Sequence, residues 1–204
     1  MENRRYAKEM KAGNKALDMM MEGVRQHNNH MKKLKMKQYK PVTIYVEGNH
    51  EDRLTRYLEC DPTFEGMVSI EKDLNLVKRG ILFVPYREYH YIDEVGFTHI
   101  PHNKSAAIGG VDITRKASMV TVSSVVFSHT HNQNMSHVFK EGMSHLQDIY
   151  CAGCFFEEKE DYIKGRVTEY WRGLSILHIW KPGRFDVEAY SLGRLKREYN
   201  GRQP

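Results

Sequence analysis

The chain has 204 residues, 40% of them hydrophobic and 28% charged, with a formal charge of +5. That composition excludes a disordered polar chain, and no apolar run approaches the roughly 20 residues that a membrane helix needs. Three cysteines are too few for a disulfide framework, and the polar start Met1-Glu2-Asn3-Arg4-Arg5 lacks the apolar core of a secretory leader, so a cytoplasmic setting is expected.

In chain order, residues 2–37 carry Tyr6, Met10, Leu17, Met20, Met21 and Val24 at helical spacing with no proline. This predicts a long helix or helical pair. Met19–Met21 reads as core packing, and Gly13 and Gly23 mark weak points where the helix can kink or break. The basic run Met31–Lys40 and the tail Arg194–Tyr199 each read as a solvated helical face or as an attraction for nucleic acid or phosphate. Pro41 opens a buried strand over 42–46, Glu51–Glu59 begins a helix with Leu54, Tyr57 and Leu58 on one face, and Asp61-Pro62 starts a turn. Short strands are predicted over 81–85, 89–92 and 95–98. A polar loop over 103–110, a helix near 112–119 and a strand over 120–127 follow. Further β-like stretches lie at 136–139, 146–151, 173–180 and 185–191. The expectation is one α/β domain over 1–204, with a helical segment over 1–40 and no repeat or linker.

The pair Cys151-Ala152-Gly153-Cys154 has C-x-x-C spacing but no second pair. With Ile149, Tyr150, Phe155 and Phe156 around it, it reads as small thiols of a buried strand rather than as a zinc or redox site.

Polar residues gather where the predicted strands end. Gly48-Asn49-His50-Glu51 follows the first strand, His99 follows Val95–Thr98, and Ser128-His129-Thr130-His131 follows the strand that ends at Phe127. Ligands collect at strand ends in open α/β sheets, and imidazoles with an amide oxygen suit a transition metal. The tight turn at Gly48 can aim Asn49 as a ligand and His50 as a proton donor to a leaving oxygen, with Glu51 accepting the other N–H of the His50 ring. His129 and His131 alternate along an extended segment, which puts both imidazoles on one side; the competing reading is a polar loop with incidental histidines. His99 is preferred to its rival His102, which lies beyond Pro101 in a loop. The histidines at 27, 30, 90, 137, 145 and 178 have no partner at ligand spacing, and His178 reads as a core residue.

The ordered set Gly-Asn-His-Glu, then His, then x-His-x-His resembles the calcineurin-like metallophosphoesterases, in a phage and bacterial branch. The phrases Val84-Pro85-Tyr86, Ile108-Gly109-Gly110, Ala152-Gly153-Cys154-Phe155 and Trp171-Arg172-Gly173-Leu174 extend the likeness along most of the chain. The resemblance implies a sandwich of two β-sheets flanked by helices, holding divalent metal ions of the Mn, Fe or Zn type. It implies hydrolysis of a phosphate ester through a metal-activated water. By position, Asn49, His99 and His129 would ligate one metal, His131 would belong to the other, and His50 would be catalytic. Arg53 would help hold phosphate or would make a surface salt bridge.

The family's opening motifs, Asp-x-His and Gly-Asp-x-x-Asp, have no match in this sequence, so an N-terminally truncated version of the fold is expected. Neutral ligands alone hold a dication weakly. Glu47 and Asp52 are near the motif but are expected to point elsewhere. The missing strands imply a second chain that supplies them, a rearranged chain, one self-associated as a homo-oligomer, or a split gene. Two functions therefore stand. One is a phosphodiesterase, nuclease or phosphatase acting on a phosphate ester, with the basic charge favouring nucleic acid or nucleotides. The other is a catalytically inactive binding or regulatory protein that keeps the fold.

Overall fold

The computed structural model describes residues 2–60, 63, 68–104, 106–142, 146–156 and 170–199. The turn expected at Asp61-Pro62 and the histidine at 145 lie outside them. The protein is mixed α/β, with several sheets, and forms two compact units, Met1–Phe83 and Val84–Gln203.

The first unit holds α1 (Glu2–Lys33), β1 (Thr43–Val46), α2 (Asp52–Cys60), α3 (Ile70–Asp73), α4 (Leu76–Arg79) and β2 (Ile81–Val84), which pairs with β1 and runs into the second unit. Tyr6, Met10, Leu17 and Met21 share one face of α1 and pack on Ile70, Leu74, Leu76 and Ile81, as the helical spacing requires. The helix passes Gly13 without a break. A Cβ there would meet Leu74 Cδ2 at 2.9 Å, so this glycine permits close packing rather than a kink. Polar ties reinforce the contact: the Tyr6 hydroxyl donates to Asp73 Oδ2 at 2.5 Å, and Arg79 Nη2 donates to Asn14 Oδ1 at 3.0 Å. Burial, with the Asp73 carboxylate beside it, pushes the Tyr6 hydroxyl pKa upward.

The helix ends inside the basic run. Lys35 takes φ 55°, and the Lys35 and Met36 amides donate back to the Lys32 and Met31 carbonyls, a Schellman closure. Two expectations are corrected here. Met19 and Met20 are 68% and 73% exposed, because only position 21 of the triplet falls on the buried stripe. The first strand is half-buried rather than buried, and Val42 stays outside it.

The second unit holds β3 (His90–Ile92), β4 (Val95–Phe97), β5 (His102–Asn103), β6 (Ala106–Ala107), α5 (Ile113–Val120), β7 (Ser124–Phe127), β8 (Gln133–Val138), β9 (Gln147–Ala152), β10 (Gly173–Lys181), β11 (Arg184–Ser191) and α6 (Leu192–Tyr199). Its main sheet runs β3-β4-β7-β9-β8, with β4, β7 and β9 parallel and the outer strands antiparallel to them. Every residue of β7 is buried, which is why this run is apolar without alternation. Val125, Phe127, Ile149 and Cys151 face Ile113 and Ala117 of α5. Val126 and Tyr150, one residue out of phase, face Phe185, Leu177, Ile179 and Val187 of the β10–β11 hairpin. Helix, sheet and hairpin thus form three layers.

Three sequence expectations change in this unit. The strand expected over 120–127 starts only at Ser124. Val120 ends α5, and the Thr121 hydroxyl closes that helix by donating to the Ala117 carbonyl at 2.9 Å. The expected loop at 103–110 contains a small hairpin, β5 with β6. His178 is not a core histidine: it faces outward on β10, with its Nε2 3.2 Å from Glu188 Oε2.

Candidate metal centre

Because β4, β7 and β9 are parallel, their carboxyl ends share one edge of the sheet. The pairing persists one step past the strands: the Thr98 amide donates to the Val126 carbonyl at 3.2 Å, and the Ser128 amide to the His99 carbonyl at 3.1 Å. The chain then leaves the ladder with His99 and His129 side by side. His99 Nε2 and His129 Nδ1 are 2.9 Å apart, and the rings meet edge to face at 5.0 Å. Two nitrogens each about 2.1 Å from one ion would be separated by about 3.0 Å on a six-coordinate ion and by about 3.4 Å on a tetrahedral one. The pair is therefore spaced as two neighbouring ligands of a six-coordinate ion would be. The same spacing serves a direct N–H···N bond between one donor and one acceptor tautomer.

The loop is fixed from beneath. The Ser128 hydroxyl donates to the Gly153 carbonyl, and Thr130 Oγ1 lies 3.5 Å from Cys151 Sγ. Tyr86 lies against His99, with ring centroids 5.9 Å apart, and its hydroxyl is 3.2 Å from Nε2 of His102, which sits in β5.

His131 occupies a different setting. Its backbone is left-handed, φ 62°, and its carbonyl accepts from the Trp171 amide at 2.9 Å. Its ring meets Phe156 at 5.4 Å and Tyr170 at 4.7 Å, both edge-on. Arg172 lies over the same two rings, at 5.2 and 5.6 Å.

Asn49, His50, Glu51 and Arg53 belong to the first unit. The Asp52 amide donates to the Gly48 carbonyl at 3.0 Å, closing the tight turn that the motif implied. Asn49 and Glu51 are half-buried, while His50 and Arg53 are exposed. Asp52 is committed to Arg56 at 2.9 Å, and Glu47 is buried beneath the turn. Burial raises the pKa of the neighbouring Tyr45 hydroxyl, and the charges of Glu51 and Glu47 add to the effect. Among the described residues, no three His, Cys, Asp or Glu side chains group as metal ligands. His99 and His129 are the imidazole nitrogens that this edge brings together.

The C-x-x-C pair is not disulfide-linked. Cys151 is buried in β9, where burial pushes its thiol pKa up, and Cys154 Sγ approaches the Trp171 carbonyl at 3.4 Å. Between the two cysteines, Gly153 takes φ 74°, and a Cβ there would lie 2.6 Å from the Trp171 carbonyl oxygen. Gly153→Ala is therefore expected to cost about 2 kcal/mol or more from the backbone conformation and the clash together. The check is the urea midpoint followed by tryptophan emission.

The sequence pattern missed Phe156, Tyr170 and Arg172 as part of this edge. Arg172 is 41 positions from His131 in the chain; it is brought alongside by the Trp171–His131 hydrogen bond and a bridge between Arg172 and Cys154. It also missed Asp148, which is fully buried in β9.

The fold and the site together define a mixed α/β protein with a paired-imidazole edge at the carboxyl ends of parallel strands. No family model, curated protein or solved structure matches the chain.

Proposed function

We propose that the protein is a metal-dependent phosphoesterase on a metallophosphoesterase-like sandwich, with His99 and His129 as ligands of a divalent Mn, Fe or Zn ion. The observation that carries this reading is the 2.9 Å approach of the His99 and His129 nitrogens at the strand ends. The carboxyl edge of parallel strands is where open α/β sheets bind their ligands. When bound, the ion would polarise a phosphoryl oxygen and acidify a water.

The remaining roles rest on the motif resemblance. By that resemblance Asn49 would supply a further neutral ligand, His131 would belong to a second ion, and His50 would protonate the leaving oxygen. Glu51 would orient the His50 ring, and Arg53 would hold phosphate. A second chain or second copy would supply the carboxylates that such an ion needs. The net charge of +5 favours a polyanionic substrate, nucleic acid or a nucleotide.

The test is turnover of bis(p-nitrophenyl) phosphate and p-nitrophenyl phosphate by manganese-loaded, desalted protein, with metal content measured in parallel. Metal uptake with chelator-sensitive turnover is the expected result. Uptake without turnover would favour the non-catalytic binding protein, and neither uptake nor turnover would overturn the assignment.

A further inference from the structure

The end of α1 carries more positive charge than a helix terminus accounts for. Residues 23–46 hold five lysines and one arginine and no Asp or Glu. The nearest acids upstream, Asp18 and Glu22, lie beside Arg25, at 3.6 and 2.8 Å. Lys32 and Lys33 are in the last turn, where cations complement the negative end of the helix dipole. Lys35, Lys37 and Lys40 lie beyond it, in a stretch with no helix and no strand, and all three are exposed. The solvated helical face expected of this run therefore covers only its first part.

That stretch is held in place. The Tyr39 amide donates to Asn28 Oδ1 at 2.7 Å, and Asn28 Nδ2 donates to the Tyr39 carbonyl at 2.6 Å. One side chain of α1 thus grips the Tyr39 backbone at both its donor and its acceptor. With the Schellman closure at Lys35, the loop is fixed at both ends, yet the Tyr39 ring stays 58% exposed. A fixed loop has already lost the backbone freedom that binding would otherwise take away. Lysines interleaved with an exposed aromatic ring match an unpaired strand, which offers phosphates and bare base faces together. A lipid surface asks instead for a continuous apolar face. Here Met36 and Tyr39 stand singly among Lys35, Lys37 and Lys40.

We propose that the loop Lys35–Lys40, pinned by Asn28, binds single-stranded nucleic acid, with Lys35, Lys37 and Lys40 on phosphates and the Tyr39 ring stacked on a base. The contact needs neither metal nor hydrolysis, so it does not rest on the phosphoesterase reading.

The experiment follows the anisotropy of fluorescein-labelled oligo(dT) titrated with the full-length, metal-free protein over a series of salt concentrations. Saturable binding is expected. In K35Q/K37Q/K40Q the slope of log affinity against log salt should be shallower by about 2, since each phosphate contact on a single strand contributes about 0.7. Y39A should bind about tenfold more weakly at an unchanged slope, because it loses a stacked base and no charge. N28A frees the loop at constant charge and should weaken binding about threefold or more. The lysines and Tyr39 are exposed, so their variants keep the fold. No saturable binding by the parent protein overturns the proposal, as does the parent slope in the triple variant. Full affinity in Y39A or in N28A overturns it as well. So does stronger retention on phosphatidylserine vesicles than on oligo(dT), which would make the loop a membrane contact. Metal uptake and turnover play no part in this titration, so its failure leaves the phosphoesterase reading untouched.

Discussion

His129→Ala is expected to remove divalent-metal binding, lowering affinity by more than about a hundredfold, since losing even an outer-shell partner costs about 10–100-fold. The substitution takes away one of two nitrogens that stand 2.9 Å apart and leaves a single imidazole. His129 lies past the last paired residue of β7 and is half-buried, so the fold should survive the change. His99→Ala should give the same loss, and the double variant should be no worse, because either single change already breaks the pair. His178→Ala, exposed beside Glu188 on the hairpin, should bind metal as the parent does. Titration with Mn²⁺ followed by elemental analysis reads all four proteins. Unchanged uptake and turnover in His129→Ala would sink the assignment of this pair.

Asp148→Ala is expected to destabilise the second unit by about 3–5 kcal/mol, the usual cost of breaking a buried ion pair. Asp148 has no exposure and accepts from Arg184 Nε at 2.7 Å, the Phe185 amide at 3.1 Å and His137 Nδ1 at 2.8 Å. It joins the inner strand β9 to the start of β11, so its loss loosens the hairpin from the sheet. The partners are unequal. The His137 side chain is 56% exposed and screened by water, so His137→Ala should cost under about 1 kcal/mol. Both tryptophans, Trp171 and Trp180, lie in this unit, and Arg184 sits over the Trp180 ring at 5.3 Å. Urea unfolding followed by tryptophan emission therefore reports the relevant transition. Equal midpoints for the parent and Asp148→Ala would show that the network contributes little.

Local signals told most about local structure. The α1 stripe, the helix near 112–119 and the positions of β9 to β11 were legible because periodicity acts over a few residues. Inside and outside were harder to tell apart where both faces of a segment are apolar. On β10, Leu174, Ile176, His178 and Trp180 point outward while Leu177 and Ile179 pack on the sheet, and composition alone does not rank those faces. Val120–Ser123 is β-rich, yet Val120 completes a helix, because α5 is held by the burial of Ile113 and Ala117 rather than by propensity. At the candidate site, His99 and His129 were legible as strand-end histidines. Arg172 was not, because its setting depends on contacts with residues far away in sequence.

His131 carries one last consequence. A β-carbon in the left-handed region costs about 1 kcal/mol relative to glycine, and asparagine tolerates that region better than histidine does. At φ 62° the chain keeps imidazole where thermal selection alone would choose glycine. Passaged for heat resistance without any demand for activity, populations of this protein should drift at position 131 toward glycine or asparagine. Retention of histidine under that regime would mean that its ring, wedged between Phe156 and Tyr170, repays the backbone penalty by packing alone.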